Sequence, residues 1–173
     1  MRPTNILHSF FLAALALHLS TALFAGGSPS VEPEPSASEI EREAVELYNA
    51  GTQLLFAGDY AAAEKSLKQA ISKKKDFAEA HNNLAFVLRK QGPDHFKSAL
   101  KHYNKAIQED PEIAEARMYR GVLYVAMGEK DKALEDHKWL ESRAPKLAKE
   151  LAWVVENGRE KEPAQLFGVT QAL

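Results

Sequence analysis

The sequence predicts an all-α protein, an α-solenoid of three helical hairpins closed by one further helix. Three observations carry this prediction. Comparable stretches begin at Ala44, Ala78 and Ala114, 34 and 36 residues apart, a period typical of stacked helical repeats. Within each stretch, apolar residues recur three and four apart on both sides of a glycine (Gly58, Gly92 or Gly128), so two amphipathic helices meet at a turn. Pro111 and Pro145 follow the second and third stretches, just past the point where a helix must stop. At 173 residues and 45% hydrophobic, the chain has enough apolar material for one domain with a core.

Residues 1–25 stand apart. Arg2 is the only charge before Glu32, and Ile6 to Ala25 is an almost unbroken apolar run. A basic start, an apolar stretch and small residues after it describe a secretory signal peptide. Ser20-Thr21-Ala22 and Ala25-Gly26-Gly27 both offer small residues at the positions a signal peptidase reads. The competing reading is an uncleaved anchor, since about 20 apolar residues span a bilayer. His8, Ser9, His18, Ser20 and Thr21 argue against it. In either case Arg2 stays behind and the acidic segment beyond crosses. The expected location is periplasmic or secreted, or membrane-anchored facing the periplasm if the segment is retained. Residues 26–38 contain three prolines and almost nothing to bury, which predicts an extended, solvated linker.

The repeat domain is expected over 39–158, with repeats at about 44–77, 78–113 and 114–147. Gly51, Ala85 and Gly121 on the first helices face Ala63, Ala99 and Ala133 on the second. Small residues there let the two helices of a hairpin approach closely, while Leu54, Leu67, Leu88 and Tyr103 fill the gaps beside them. The longer middle repeat takes its two extra residues in the turn Gln91–His95, where an insertion is cheap. Residues 146–157 place Leu147, Leu151, Val154 and Val155 on one face, as a helix capping the last hairpin would. Asn157-Gly158 should end that helix. Trp139 and Trp153 read as core residues. The tail, 159–173, has too little pattern to assign an element.

These residues resemble the tetratricopeptide repeat family. The resemblance rests on Gly51 with Gly58-Asp59-Tyr60 and Ala63, then Asn83-Leu84-Ala85, Ala99, Tyr103, Ala106 and Asp110-Pro111, and then Tyr119, Gly121, Tyr124, Gly128, Ala133 and Pro145. The departures are Lys75 in place of the first proline, His137 at a usually apolar position and Leu140 for alanine. The resemblance implies a right-handed superhelix whose concave groove is lined by the first helix of each hairpin and holds peptide segments. Carried over by position, the groove residues are Val45, Tyr48, Asn49 and Thr52, then Glu79, Asn82, Asn83 and Phe86 with Arg89 one turn on, then Glu115, Met118, Tyr119 and Val122. Tyr48, Phe86, Met118 and Tyr119 offer apolar contact, and Asn49, Asn82 and Asn83 can bond a peptide backbone. Asn49 and Asn83 occupy equivalent places, so truncating either should spare the fold and weaken binding. The alternative is that the polar groups are solvated and the aromatics packed between helices. Family members that grip a terminal carboxylate use lysines and an arginine with asparagines here. Only Asn83 matches, with Tyr48, Thr52, Glu115 and Tyr119 at the other positions.

Other chemistries find no support. A net charge of −2, from 22 basic and 24 acidic residues, argues against a nucleic-acid partner. Without cysteines, the chain can form no disulfide, thiolate metal site or cysteine nucleophile. It has no phosphate-binding glycine loop, nucleophile elbow or His-Glu-x-x-His pair. His81, His95, His102 and His137 lie neither three nor four apart; His95 and His102 could share a face but lack further ligands. Glu39, Glu41 and Glu43 sit at a helix start and Lys73-Lys74-Lys75 at a helix end, as the dipole favours. The reading is a non-catalytic binding module or assembly scaffold with no cofactor. Its partner would be a protein or peptide, and membrane contact would come only through an uncleaved N-terminal segment. The alternative is self-association through the open ends of the stack.

Overall fold

The computed structural model describes residues 35–161. The expected signal peptide, most of the linker and residues 162–173 lie outside the described residues. Seven helices follow one another: α1 (Ala37–Phe56), α2 (Tyr60–Lys73), α3 (Ala78–Lys90), α4 (Phe96–Glu109), α5 (Ala114–Ala126), α6 (Lys130–Arg143) and α7 (Pro145–Asn157). No strand occurs among the described residues. None of these helices is long and apolar enough to cross a membrane.

α1 begins earlier than the repeat period implies. Ser36 Oγ accepts from the Glu39 backbone N–H at 3.3 Å, and the Glu39 carboxylate accepts from the Ser36 N–H at 2.7 Å. This reciprocal cap fixes the helix start. The linker expected over 26–38 therefore gives way to helix at Ala37. Gly58 leaves α1 at φ 80°, a left-handed conformation that glycine adopts without strain. Asp59 then starts α2 by accepting from Ala62 N–H at 3.0 Å. Pro145 lies just past the end of α6, as expected, and also opens the first turn of α7, where its missing N–H costs nothing.

α1 packs on α2, α3 on α4 and α5 on α6, and each hairpin abuts the next through its second helix. α7 lies against α5 and α6. Leu67, Leu84, Tyr103, Leu123, Leu140 and Leu151 have no exposed surface. A Cβ at Gly51 would stand 2.8 Å from Leu67 Cγ on α2, the close hairpin contact expected from the sequence. Gly121 is different. Its Cβ would stand 2.5 Å from Leu151 Cδ2 on α7, so its small size serves the capping helix rather than the α5–α6 crossing. Gly121→Leu should overpack that contact and destabilise the domain by roughly 1–3 kcal/mol. An unchanged melting temperature would show that α7 is not seated there.

Trp139 and Trp153 are half-buried rather than core. Arg117 and Arg143 lie over the Trp139 ring at 4.1 and 4.7 Å, so cation–π contact and arginine stems cover what burial does not. Asp136 on α6 is 2% exposed and takes a two-pronged bond from Arg120 on α5 at 2.8 and 2.6 Å. Arg120 also donates to Asn104 on α4 at 2.8 Å, tying three helices together. At the other end, Lys73 meets Glu43 at 2.8 Å and Lys74 meets Glu41 at 2.7 Å. The charge runs thus close the first hairpin as well as suiting the helix dipoles, though exposed pairs of this kind contribute little.

Candidate functional site

The inner stripes of α1, α3 and α5 lie side by side, and the structure brings all the expected groove residues to them. Their environment differs from the expectation. Tyr48 and Thr52 on α1, Asn82, Asn83, Phe86 and Arg89 on α3, and Met118, Tyr119 and Val122 on α5 are all buried. Val45, Asn49, Glu79 and Glu115 are half-buried. The face is therefore a packed aromatic and polar layer with a partly accessible margin.

Asn83 is the clearest correction. Its Nδ2 donates to Tyr48 Oη at 3.3 Å and to Thr52 Oγ1 at 3.1 Å, while its Oδ1 accepts from Asn82 Nδ2 at 3.2 Å. It holds α1 to α3, so Asn83→Ala should not melt like the parent. Truncation leaves buried partners unsatisfied at a cost of about 1–3 kcal/mol. Asn49, its equivalent in the repeat, is half-buried. Identical spacing thus gave the two asparagines different environments. The partners of Asn83 lie 31 and 35 residues away, beyond any helical periodicity.

Toward α5 the layer becomes aromatic and charged. Phe86 and Tyr119 meet edge to face, 5.0 Å between ring centroids. The Arg89 guanidinium lies over both rings, at 5.2 and 4.9 Å. It also forks onto Glu160, beyond α7, at 2.7 and 3.1 Å. Burial works against the Glu160 charge, but hydrogen bonding and charge from Arg89, with Lys90 beyond, hold its carboxyl below the usual range. Sequence reasoning missed Glu160 because the tail shows no periodicity. The available signal was Arg89 itself: an inward, buried arginine needs a carboxylate partner. A cavity of about 290 Å³ beside this pair is lined by Phe96, Val122, Val125 and Val154 as well as Arg89 and Glu160.

On the α2–α4 side lies an open groove of about 730 Å³, flanked by Lys75, Lys97, Lys101 and Lys105. His81 and His102 meet there with 2.9 Å between their Nδ1 atoms, and His81 Nε2 lies 3.1 Å from the Lys75 carbonyl oxygen. His81 must donate from Nε2 to that carbonyl, so its Nδ1 accepts the Nδ1–H of His102. Burial pushes both imidazoles down, His102 to about 4 with His81 and nearby lysines adding to the effect. The sequence suggested His95 as the neighbour of His102. Its actual neighbour comes from the facing helix, 21 residues away. Among the described residues, no group of three or more histidines and carboxylates could hold a metal ion.

Comparison with known proteins gives a consistent picture. Residues 51–92 match a family model described as TPR repeat, and residues 94–137 match one described as tetratricopeptide repeat. No curated protein matches the sequence. Among solved structures, the fold is similar to the first TPR of Spaghetti (RPAP3) bound to the HSP90 peptide SRMEEVD. That similarity has a TM-score of 0.62 at 17% identity and covers 68% of this chain and 93% of that one. The Arabidopsis OM64 TPR domain gives 0.63 at 18% identity, over 68% and 98%. The TPR2B domain of yeast Sti1, in a pHsp70 complex, gives 0.61 at 24% identity, over 68% and 96%.

Proposed function

Because residues 51–92 and 94–137 are tetratricopeptide repeats, a repeat that mediates protein–protein interaction, we propose that this chain is an exported, non-catalytic scaffold. It takes an extended peptide or protein segment along the inner face of α1, α3 and α5. The observation that supports this most is the margin of the layer. Val45, Glu79 and Glu115 stand half-buried at equivalent positions on the first helices of three successive hairpins, with the half-buried Asn49 one turn on from Val45. The solved TPR structures bound to an HSP90 peptide or an Hsp70 partner supply the precedent for a protein ligand. The residues at the carboxylate-gripping positions differ, so the partner need not present a chain end. Export rests on the apolar run in residues 1–25.

Photo-crosslinking tests the groove. A photoreactive amino acid at Val45, Glu79 or Glu115 should capture a partner from the native envelope fraction, and the same group at the exposed Leu134 on α6 should not. Capture only from Leu134 would move binding to the outer face. Export is tested on the same material. The purified protein should begin between Leu23 and Ser28 and wash off membranes, whereas an intact Met1 or Arg2 terminus in the membrane pellet would establish the anchor instead.

A further inference from the structure

α2 and α4 each pack on α3 and make no contact with one another, so the open groove of about 730 Å³ runs between them. Its apolar parts are Ile71 on α2 and Leu100 on α4, both half-buried. Its α4 wall carries Lys97, Lys101 and Lys105, and Lys75 stands just past the end of α2. Burial keeps His81 and His102 neutral at pH 7, so the charge of the groove is that of its lysines.

Two observations separate these lysines from an ordinary solvated face. Lys105 pairs with Glu109 on its own helix, but Lys75, Lys97 and Lys101 have no ion-pair partner among the described residues. The carboxylates that act on the two histidines, Glu64 and Glu109, are already engaged, the first by Lys68 and Gln91 and the second by Lys105. The row is also no product of the repeat. Aligned on Ala63, Ala99 and Ala133, the same three positions hold Ala61, Lys65 and Gln69 on α2, and Asp131, Glu135 and Trp139 on α6. Of the three second helices, only α4 carries a row of cations.

The spacing of that row selects a conformation. Residues four apart on a helix rise about 6 Å, and side chains on one edge of an extended chain recur about every 6.6 Å. Alternate residues of an extended segment therefore meet Lys97, Lys101 and Lys105 in turn, with a drift that flexible lysine stems absorb. The intervening side chains turn the other way, toward Ile71 on α2. From the unpaired lysines, their spacing and the apolar wall opposite, we infer that this groove docks an extended segment of a partner protein in which acidic and apolar residues alternate. It is a second interface, distinct from the inner face. The inner margin carries Glu79 and Glu115, which repel such a segment, so the two faces take different partners.

The probe is a fluorescent synthetic peptide with the core Glu-Leu-Glu-Leu-Glu, titrated into the full chain by anisotropy at low salt. It should bind, and the double reversal Lys97→Glu, Lys101→Glu should weaken it at least about tenfold. Both lysines are exposed, so the variant should fold, which circular dichroism checks. If it does not, Lys97→Gln with Lys101→Gln takes its place and should weaken binding in the same direction. A core of Leu-Glu-Glu-Glu-Leu has the same composition without the alternation and should bind the parent about tenfold more weakly. Equal binding of the two acidic cores would reduce the site to unspecific charge and overturn the inference. An alternating peptide that ignores the lysine substitutions, or that does not bind at about 1 mM, also overturns it. Anionic phospholipid vesicles are the last arm: adsorption that the substitutions abolish, without peptide binding, would make the patch a membrane contact instead. None of these results bears on the crosslinks from Val45, Glu79 and Glu115, so the inner-face reading is judged separately.

Discussion

Phe86→Ala should cost about 3–5 kcal/mol of folding stability, the range for a large aromatic truncated in a core. Phe86 is 1% exposed, meets Tyr119 edge to face and lies beneath the Arg89 guanidinium. Its removal opens a void under a buried cation and frees Arg89 from one of the two rings that position it. Asn49→Ala, in the half-buried margin, should stay within about 0.5 kcal/mol of the parent. Urea denaturation of the two variants beside the parent checks this, with the change read from the midpoint at constant slope. A Phe86→Ala midpoint equal to that of Asn49→Ala would mean the inner face is an open surface. The expected difference also has a practical consequence. Phe86, Asn83 and Tyr48 cannot serve as binding mutants, because their loss disturbs the layer that shapes the groove. Val45, Glu79 and Glu115 can.

Asp136→Ala should be nearly as damaging, at about 3–5 kcal/mol for breaking a buried pair from one side. The lower end applies because the Arg120 and Arg117 side chains keep 18% and 16% of their surface in solvent. Without the carboxylate, Arg120 keeps Asn104 as a hydrogen-bond partner and the Tyr124 ring 5.8 Å away, and Arg117 loses the charge 3.8 Å away. Replacing both members, Asp136→Leu with Arg120→Met, should cost less than Asp136→Ala alone, because no unpaired charge is left behind. Thermal melts in low and high salt give a second criterion. The loss should persist at 1 M salt, where exposed pairs are screened. If Asp136→Ala melts within about 1 kcal/mol of the parent, the α5–α6 contact relies on apolar packing and the charge pair is incidental.

The hairpins, their order and most of their ends could be read from the sequence because each is encoded locally. Gly58 stops α1 through its own backbone freedom, Asp59 caps α2 within three residues, and the apolar spacing that makes each helix amphipathic repeats every turn. Even the departure at α1 is local, since the box that starts the helix spans only Ser36 to Glu39. The groove positions came from the tetratricopeptide resemblance, which implies that residues one, four, five and eight beyond each leading alanine share the inner face. Periodicity gives direction, however, and not depth. A stripe turned toward a groove and a stripe turned into a core have the same spacing, so Tyr48, Asn83 and Phe86 could be assigned to the right face with the wrong environment. The Asn83 bonds across 31 and 35 residues, the His81–His102 contact across 21, the fit of Leu151 over Gly121 and the clasp of Glu160 on Arg89 across 71 are properties of how helices stack. Only the tertiary structure decided them, because hydrogen bonding and close packing act over a few ångströms of space between residues that the chain keeps far apart.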